Sequence, residues 1–400
     1  MQRIRTGSPY WLVAAAALAF AAAAPDALAK KRATPAPAAD AAQADSPAEP
    51  SRGTGGVSGD LRAAAIALDT TTRTLLTKSG PVRQDGYVYA MDIAPLMLYA
   101  AQRRDPALYT ALLPYAQKLI VSGGDDPNTD AFVLWRAKEG DKPEVSGSTE
   151  AIWMARALWT GAQALERSDD RALALRILVG YGRHARVKQG QWRVSKYYAF
   201  SSKSYSDLSM LSSYAPDFLA ETEAYAHGAA DMAQRSYALL KGAVSPVKLL
   251  YPVIHPEISS SFAHVALNAY GPNNVVSLAD SCTAAEASLK GAPQIARGVM
   301  EFVGTPPERR DDNGRLFAYF DRTTGNAVSE TALGGPGYAC LARIAVATND
   351  GGRLEEFEPI IASDMKGLAT APSAVPAPLY AAGPLLLTAQ AMGAFAAAGQ

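Results

Sequence analysis

Two cysteines and four histidines are all that 400 residues provide, and the scarcity of both narrows the chemistry. The histidines, His184, His227, His255 and His264, fall into no HExxH or comparable ligand spacing, so the sequence offers no zinc site and calls for no metal or organic cofactor. The cysteines, Cys282 and Cys340, allow one disulfide at most, and two separate buried thiols fit the sequence equally well. Net charge is also lacking, because Lys plus Arg and Asp plus Glu both number 38. No field is available to hold a polyanion, and no basic run is interleaved with aromatics, which excludes nucleic acid as a partner. Beyond the N-terminus, no stretch offers the roughly 20 uninterrupted apolar residues of a membrane span. A neutral or weakly charged partner is expected.

The first thirty residues carry a clear signal. Arg3 and Arg5 precede LVAAAALAFAAAA, and a small-residue ALA ends at Ala29. This is the order of a secretory signal peptide, with cleavage expected after Ala29 and a periplasmic or secreted product, an uncleaved anchor being the alternative. No cysteine follows the apolar run, so a lipid anchor has no attachment residue. Residues 30–58 (KKRATPAPAADAAQADSPAEPSRGTGGVS) are Ala, Pro and small polar residues with little apolar surface to bury, and read as a disordered linker. Residues 59–400 are expected to form one domain.

Within that domain, apolar residues recur at three and four spacing in segment after segment, from LRAAAIALDTTTRTLL to LLLTAQAMGAFAAA, predicting about twelve helices. Short turns such as RRDP, RSDD and NDGG suit antiparallel helical hairpins. Six such hairpins would close into an all-α double ring, an (α/α)6 toroid with a few short strands in its loops. The strand-like stretches are FVLWR, QWRVSKYYAF and RLFAYFDR, all rich in aromatics. Loops on a rigid scaffold are where binding residues concentrate, so an aromatic-lined groove on one face is expected.

Flat aromatic rings suit the C–H faces of sugars, while carboxylates, amides and guanidinium groups suit their hydroxyls. Cleavage of a glycosidic bond needs one carboxylic acid to protonate the leaving oxygen and a second carboxylate acting on the sugar's other face. Asp85 lies in QDGYVYAM, ahead of a helix, where it also reads as a cap or as a turn former beside Gly86. Asp280 precedes SCTAAEASL and doubles as an N-cap, and Asp207 in SYSDLSM is an equal candidate base or sugar ligand. Glu150 sits in a first helical turn, where its charge also suits the helix dipole. Trp135 and Trp192, in loop or strand segments, are the better platform candidates, whereas Trp153 reads as core. Tyr89, Tyr205 and Tyr214 are candidate sugar contacts.

The order of these segments resembles that of the family 8 glycoside hydrolases, a bacterial cellulase and exopolysaccharide hydrolase group. Gln84–Met91 is similar to that family's S-E-G-x-x-Y-G-M, with Asp85 at the position of its acid. The run from Trp135 through Gly147-Ser148-Thr149-Glu150-Ala151-Ile152-Trp153 resembles a second motif, with Thr149 where the family has a sugar-contact Asp and Glu150 one place on. Ser212–Asp217 is similar to P-S-Y-x-x-P. Ala279–Thr283 falls where Y-D-A-x-R belongs, keeping Asp280 but neither the Tyr nor the Arg. The resemblance implies a six-hairpin toroid and an endo-acting, inverting hydrolase of a β-linked bacterial polysaccharide such as an exopolysaccharide or cellulose-like glucan. Asp85 would be the acid and Asp280 or Asp207 the base, with carboxyls roughly 6.5 to 9.5 Å apart. The alternative is a catalytically inactive polysaccharide-binding protein that assists exopolysaccharide export. A lyase would need a pair such as Tyr251 and His255.

Overall fold

Helices dominate because alanine-rich runs with few β-branched residues fill most of the domain. In the computed structural model, residues 57–395 are described except 124–125, 189–190, 251–252, 255–274, 305–306 and 371–377. The expected signal peptide, nearly all of the linker, and the Tyr251/His255 pair lie outside the described residues.

Twelve α-helices are present among the described residues. The first six are α1 (Gly59–Ser79), α2 (Ala90–Gln102), α3 (Pro106–Lys118), α4 (Ser148–Ala164), α5 (Ser168–Gly182) and α6 (Pro216–Glu221). The second six are α7 (Ala229–Gly242), α8 (Leu278–Glu286), α9 (Pro293–Gly304), α10 (Gly335–Ala347), α11 (Gly351–Thr370) and α12 (Pro378–Ala391). The sequences of the odd and even helices differ in a way that assigns them to two rings. Helix α1 buries only the stripe Leu61, Ala64, Ala65, Leu68 and Thr72, one face of an amphipathic helix. Helix α2 is buried continuously from Asp92 to Ala101 and has neighbours on all sides. The even helices form the inner ring, in which α12 packs on α2, α2 on α4, α8 on α10 and α10 on α12, while a 3-10 turn at Leu211–Ser213 bridges α4 to α8. Each inner helix carries an outer partner, α1 lying against α12 and α11. The result is an (α/α)6 toroid.

Tight helix–helix turns contain a residue in the left-handed region: Arg104 (φ 53°), Glu166 (φ 56°) and Asn349 (φ 54°). Asp105 and Asp350 then accept the backbone N–H groups of Leu108 and Arg353, capping α3 and the first turn of α11. Cys282 and Cys340 form a disulfide between α8 and α10, their Cα atoms 6.1 Å apart. The sequence had left this pairing open.

Short strands collar one mouth of the ring. Val88–Tyr89 leads into α2, Val145–Gly147 into α4 and Val275–Ser277 into α8. The Val145–Gly147 strand pairs with Tyr197–Ala199, which pairs with Ser204–Tyr205. The stretch read as one strand, QWRVSKYYAF, is broken into Gln191–Val194 and Tyr197–Ala199. At the break, the Lys196 carbonyl accepts the Ser148 N–H and hydroxyl at the start of α4, at 3.0 and 3.1 Å.

Candidate functional site

The N-terminal ends of the inner helices gather around one cleft of about 610 Å³. Helix α4 contributes Thr149, Glu150 and Trp153, α8 contributes Asp280 and Thr283, and α12 contributes Tyr380. The collar adds Trp135, Lys196, Tyr197 and Met210. Several helix N-termini thus point their partial positive charge at the same volume, an environment that accommodates carboxylates and developing negative charge.

Glu150 and Asp280 are the carboxylates that line this cleft. Glu150, in the first turn of α4, folds back over Gly147: a Cβ built on Gly147 would lie 1.8 Å from Glu150 Oε2. Burial pushes its carboxyl above the usual range, outweighing a hydrogen bond from its own N–H and the charge of Lys196. Asp280 lies in the first turn of α8, whose start is capped by Ser277 Oγ accepting the Asp280 N–H at 3.2 Å. Burial likewise raises its pKa, against a side-chain hydrogen bond from Ser277 and the charge of Lys196. Two half-buried carboxyls biased toward protonation, in a cleft with aromatic walls, are the arrangement general acid–base chemistry uses.

The other expected residues are dispersed. Asp85 is at the tip of a turn between the bridged residues Val82 and Val88, its side chain 44% exposed, and it is not part of the cleft lining. It accepts the Tyr89 hydroxyl at 2.6 Å and the Tyr87 N–H at 3.1 Å. Slight burial would raise its pKa, but these bonds and the charge of Arg136 outweigh it and hold the carboxyl below its usual range. That is the reverse of what a proton donor near neutrality needs. Tyr89 stands beside it at the rim, its ring edge-on to Trp135 at 5.7 Å. Trp135 does line the cleft, 37% exposed, with the Arg136 guanidinium 4.5 Å from its ring.

Asp207 is 51% exposed, 3.8 Å from Arg193, and outside the cleft lining. Trp192 is half-buried against Tyr214, ring centroids 6.0 Å apart, and also outside it. Tyr205 lies under the Arg186 guanidinium, 3.4 Å from its ring, in a separate pocket of about 390 Å³ shared with Asp126 and Tyr198. Tyr214, expected among the sugar contacts, is sealed in the core: its hydroxyl accepts the Val194 N–H at 2.8 Å and pairs with Ser209 Oγ at 2.6 Å. A buried tyrosine with both hydrogen-bonding needs met has no surface left for a ligand.

Three residues that sequence reasoning did not select belong to the cleft. Trp153, read as core, is half-buried and faces it; Lys196 and Tyr380 line it as well. Below Trp153, the guanidinium of Arg343 forms two hydrogen bonds of 2.7 Å with Glu286 and one of 2.8 Å with Thr388, making a polar floor. Burial pushes Glu286 up, but the Arg343 charge and hydrogen bonds outweigh it and the carboxyl sits below its ordinary range. The Cys282–Cys340 bridge ties the two helices about one turn above this pair. Among the described residues, no group of three His, Cys, Asp or Glu is placed to hold a metal ion.

Neither a protein-family profile nor a curated protein sequence matches the chain. Solved structures do. An α-amylase from Clostridium perfringens superposes with a TM-score of 0.63 at 14% identity, covering 81% of this chain and 97% of that one. PssZ from Listeria monocytogenes gives 0.59 at 16% identity, with coverage of 80% and 94%. Endoglucanase Cel10 from Klebsiella pneumoniae, a family 8 glycosyl hydrolase, gives 0.55 at 12% identity, with coverage of 82% and 99%. Identities this low establish architecture and leave activity to the site. The chain has the glycosidase-like (α/α)6 fold seen in the family 8 glycosyl hydrolases.

Proposed function

We propose that this chain is an exported glycoside hydrolase that binds a polysaccharide across the cleft and cuts it internally with inversion at the anomeric carbon. The observation that carries the reading is the placement of Glu150 and Asp280 in one cleft walled by Trp135, Trp153, Tyr197 and Tyr380. In the reaction, the Glu150 carboxyl donates its proton to the departing glycosidic oxygen. Asp280 takes a proton from a water that attacks the opposite face of the sugar. The Ser277 hydrogen bond favours the ionised form of Asp280, which suits the base. Burial keeps Glu150 protonated closer to neutrality, which suits the acid. Asp85, at the rim, is assigned a supporting place under Tyr89 and Trp135 rather than the chemistry. The N-terminal Arg3/Arg5 and Ala-rich pattern supports export, so a β-linked exopolysaccharide or cellulose-like glucan is the first substrate to try.

The test is reducing-end release from a panel of β-glucans and from bacterial exopolysaccharide, with binding measured in parallel. Glu150→Gln and Asp280→Asn should each lower release by about a hundredfold or more while glycan binding persists. Asp85→Asn should retain most of the activity. Wild-type protein that binds glycan yet releases no ends would replace this reading with the binding-only role in export.

A further inference from the structure

The cleft contains a cation that the proposed chemistry has not yet used. Lys196 occupies the break between two strands, where its backbone is fixed on both sides. Its N–H donates to the Leu208 carbonyl at 2.8 Å, and its own carbonyl takes the Ser148 N–H and hydroxyl. Ser148 is the first residue of α4, so Lys196 is anchored to the same helical turn that carries Glu150. Its side chain lines the cleft with Glu150 and Asp280. Three partly buried arginines are tightly paired: Arg343 with Glu286, Arg83 with Asp92 and Arg315 with Asp364. Among the described residues, no hydrogen bond or ion pair holds the Lys196 ammonium.

We infer that Lys196 is the countercharge of this cleft, keeping Asp280 ionised while Glu150 retains its proton. The inference rests on the glycosidase reading and deepens it. Helix α4 offers Glu150, α8 offers Asp280, α10 offers Arg343 already held by Glu286, and α12 offers Tyr380; Tyr197 follows Lys196 on its own strand. Helix α2 lines the cleft with Met91 and Pro95, and its Asp92, which also acts on Tyr380, is held by Arg83. With one proton on the two carboxyls, their single negative charge and the ammonium cancel. A second ionisation would leave an uncompensated anion in a half-buried site, and removal of the lysine would do the same to the first. The ammonium acts at longer range than an ion pair, stabilising the ionised state without occupying the oxygens that must bind water. Lys196 favours the ionised form of both carboxyls, while burial, the larger effect, raises both. Lys196 is therefore a positioning residue for the proton, acting through Asp280.

The test compares Lys196→Met and Lys196→Arg with wild type in two readouts. The first is the pH–rate profile of reducing-end release. Lys196→Met should move the acidic limb to higher pH, so that activity falls roughly tenfold more at pH 6 than at pH 8, and Lys196→Arg should restore the limb. The second is the carbon-13 titration of the Asp280 and Glu150 carboxyls in the whole protein, with Glu286 as an internal reference that should not move. It needs no turnover, so a wild type that cleaves nothing would sink the hydrolase reading and still leave Lys196 decidable. If methionine prevents folding, Lys196→Gln serves the same comparison. Carboxyl titrations unmoved by loss of the ammonium, or a loss equal at every pH that arginine does not restore, would overturn the inference.

Discussion

Replacing Gly147 with alanine isolates the placement of the Glu150 carboxyl from everything else in the cleft. Gly147 has φ −105° and ψ 140°, ordinary extended backbone that any residue adopts, so the substitution introduces no backbone strain. Its new methyl would meet Glu150 Oε2 at 1.8 Å and Cδ at 2.6 Å, where ordinary contact begins near 3.4 Å. The carboxyl must retreat by about 1.6 Å. A displacement of about 1 Å at a reacting group can cost about a hundredfold in rate, roughly 2.7 kcal/mol of barrier. Stability should hardly respond. Stiffening of the unfolded chain contributes about 0.4–1 kcal/mol, and loss of the carboxylate from the helix N-terminus costs about 0.3–1 kcal/mol, so the two offset. The assay is kcat/KM on the best polysaccharide substrate, with thermal melts of the same samples. In a Glu150→Gln background the alanine should have little further effect, because the group it displaces is already inactive. Full activity in Gly147→Ala, alongside a dead Glu150→Gln, would refute the argument that this carboxyl works from its folded-back position.

Other consequences follow from the same geometry. Asp280 has its folded-state pKa raised, so at pH 7 its ionised form is a cost that Asp280→Asn removes. Melting temperature should rise in the variant at pH 7, and the gain should vanish once pH falls below the unfolded-state pKa, where both forms are neutral. Glu286 shows the opposite sign: its lowered pKa contributes stability above the unfolded carboxyl range that is lost as pH falls through the folded value. Arg343→Met should therefore destabilise the fold at pH 7 by about 3 kcal/mol, the cost of a broken buried pair, and by much less in acid, as read by denaturant titration at the two pH values. The Cys282–Cys340 bridge closes a separation of 58 residues, worth about 4 kcal/mol in the chain-entropy view. The double serine variant should melt on the order of 10 °C lower by calorimetry. Tyr214→Phe leaves the buried Val194 N–H without its acceptor and should cost about 1–3 kcal/mol by denaturant titration while glycan affinity is unchanged.

How the cleft is assembled explains which of its residues could be read from sequence. The twelve helices were legible, because apolar residues recur at three and four spacing in segment after segment, whereas the division into one-faced outer and all-round inner helices emerged with the burial of α1 and α2. The ring followed from helix count and short turns. Periodicity tells which face of a helix is buried, however, and not which end of it opens onto the bore. Glu150 and Asp280 line the cleft because α4 and α8 both begin there, a fact set by packing against α2, α10 and the Leu211–Ser213 turn, segments that are remote in sequence. Asp85 shows the converse. Local turn chemistry, with Gly86 at φ 82° and the Tyr87 N–H bound to the Asp85 carboxyl, fixes it on a tip that a match of residue types alone had placed at the reacting bond. Lys196 was hidden more deeply. In QWRVSKYYAF it reads as one polar position of a continuous strand, and only the docking of its carbonyl on Ser148 breaks that strand and sets the ammonium beside both acids. The residues that decide the charge of this cleft are thus those whose placement depends on contacts across the ring, where local sequence signals are weakest.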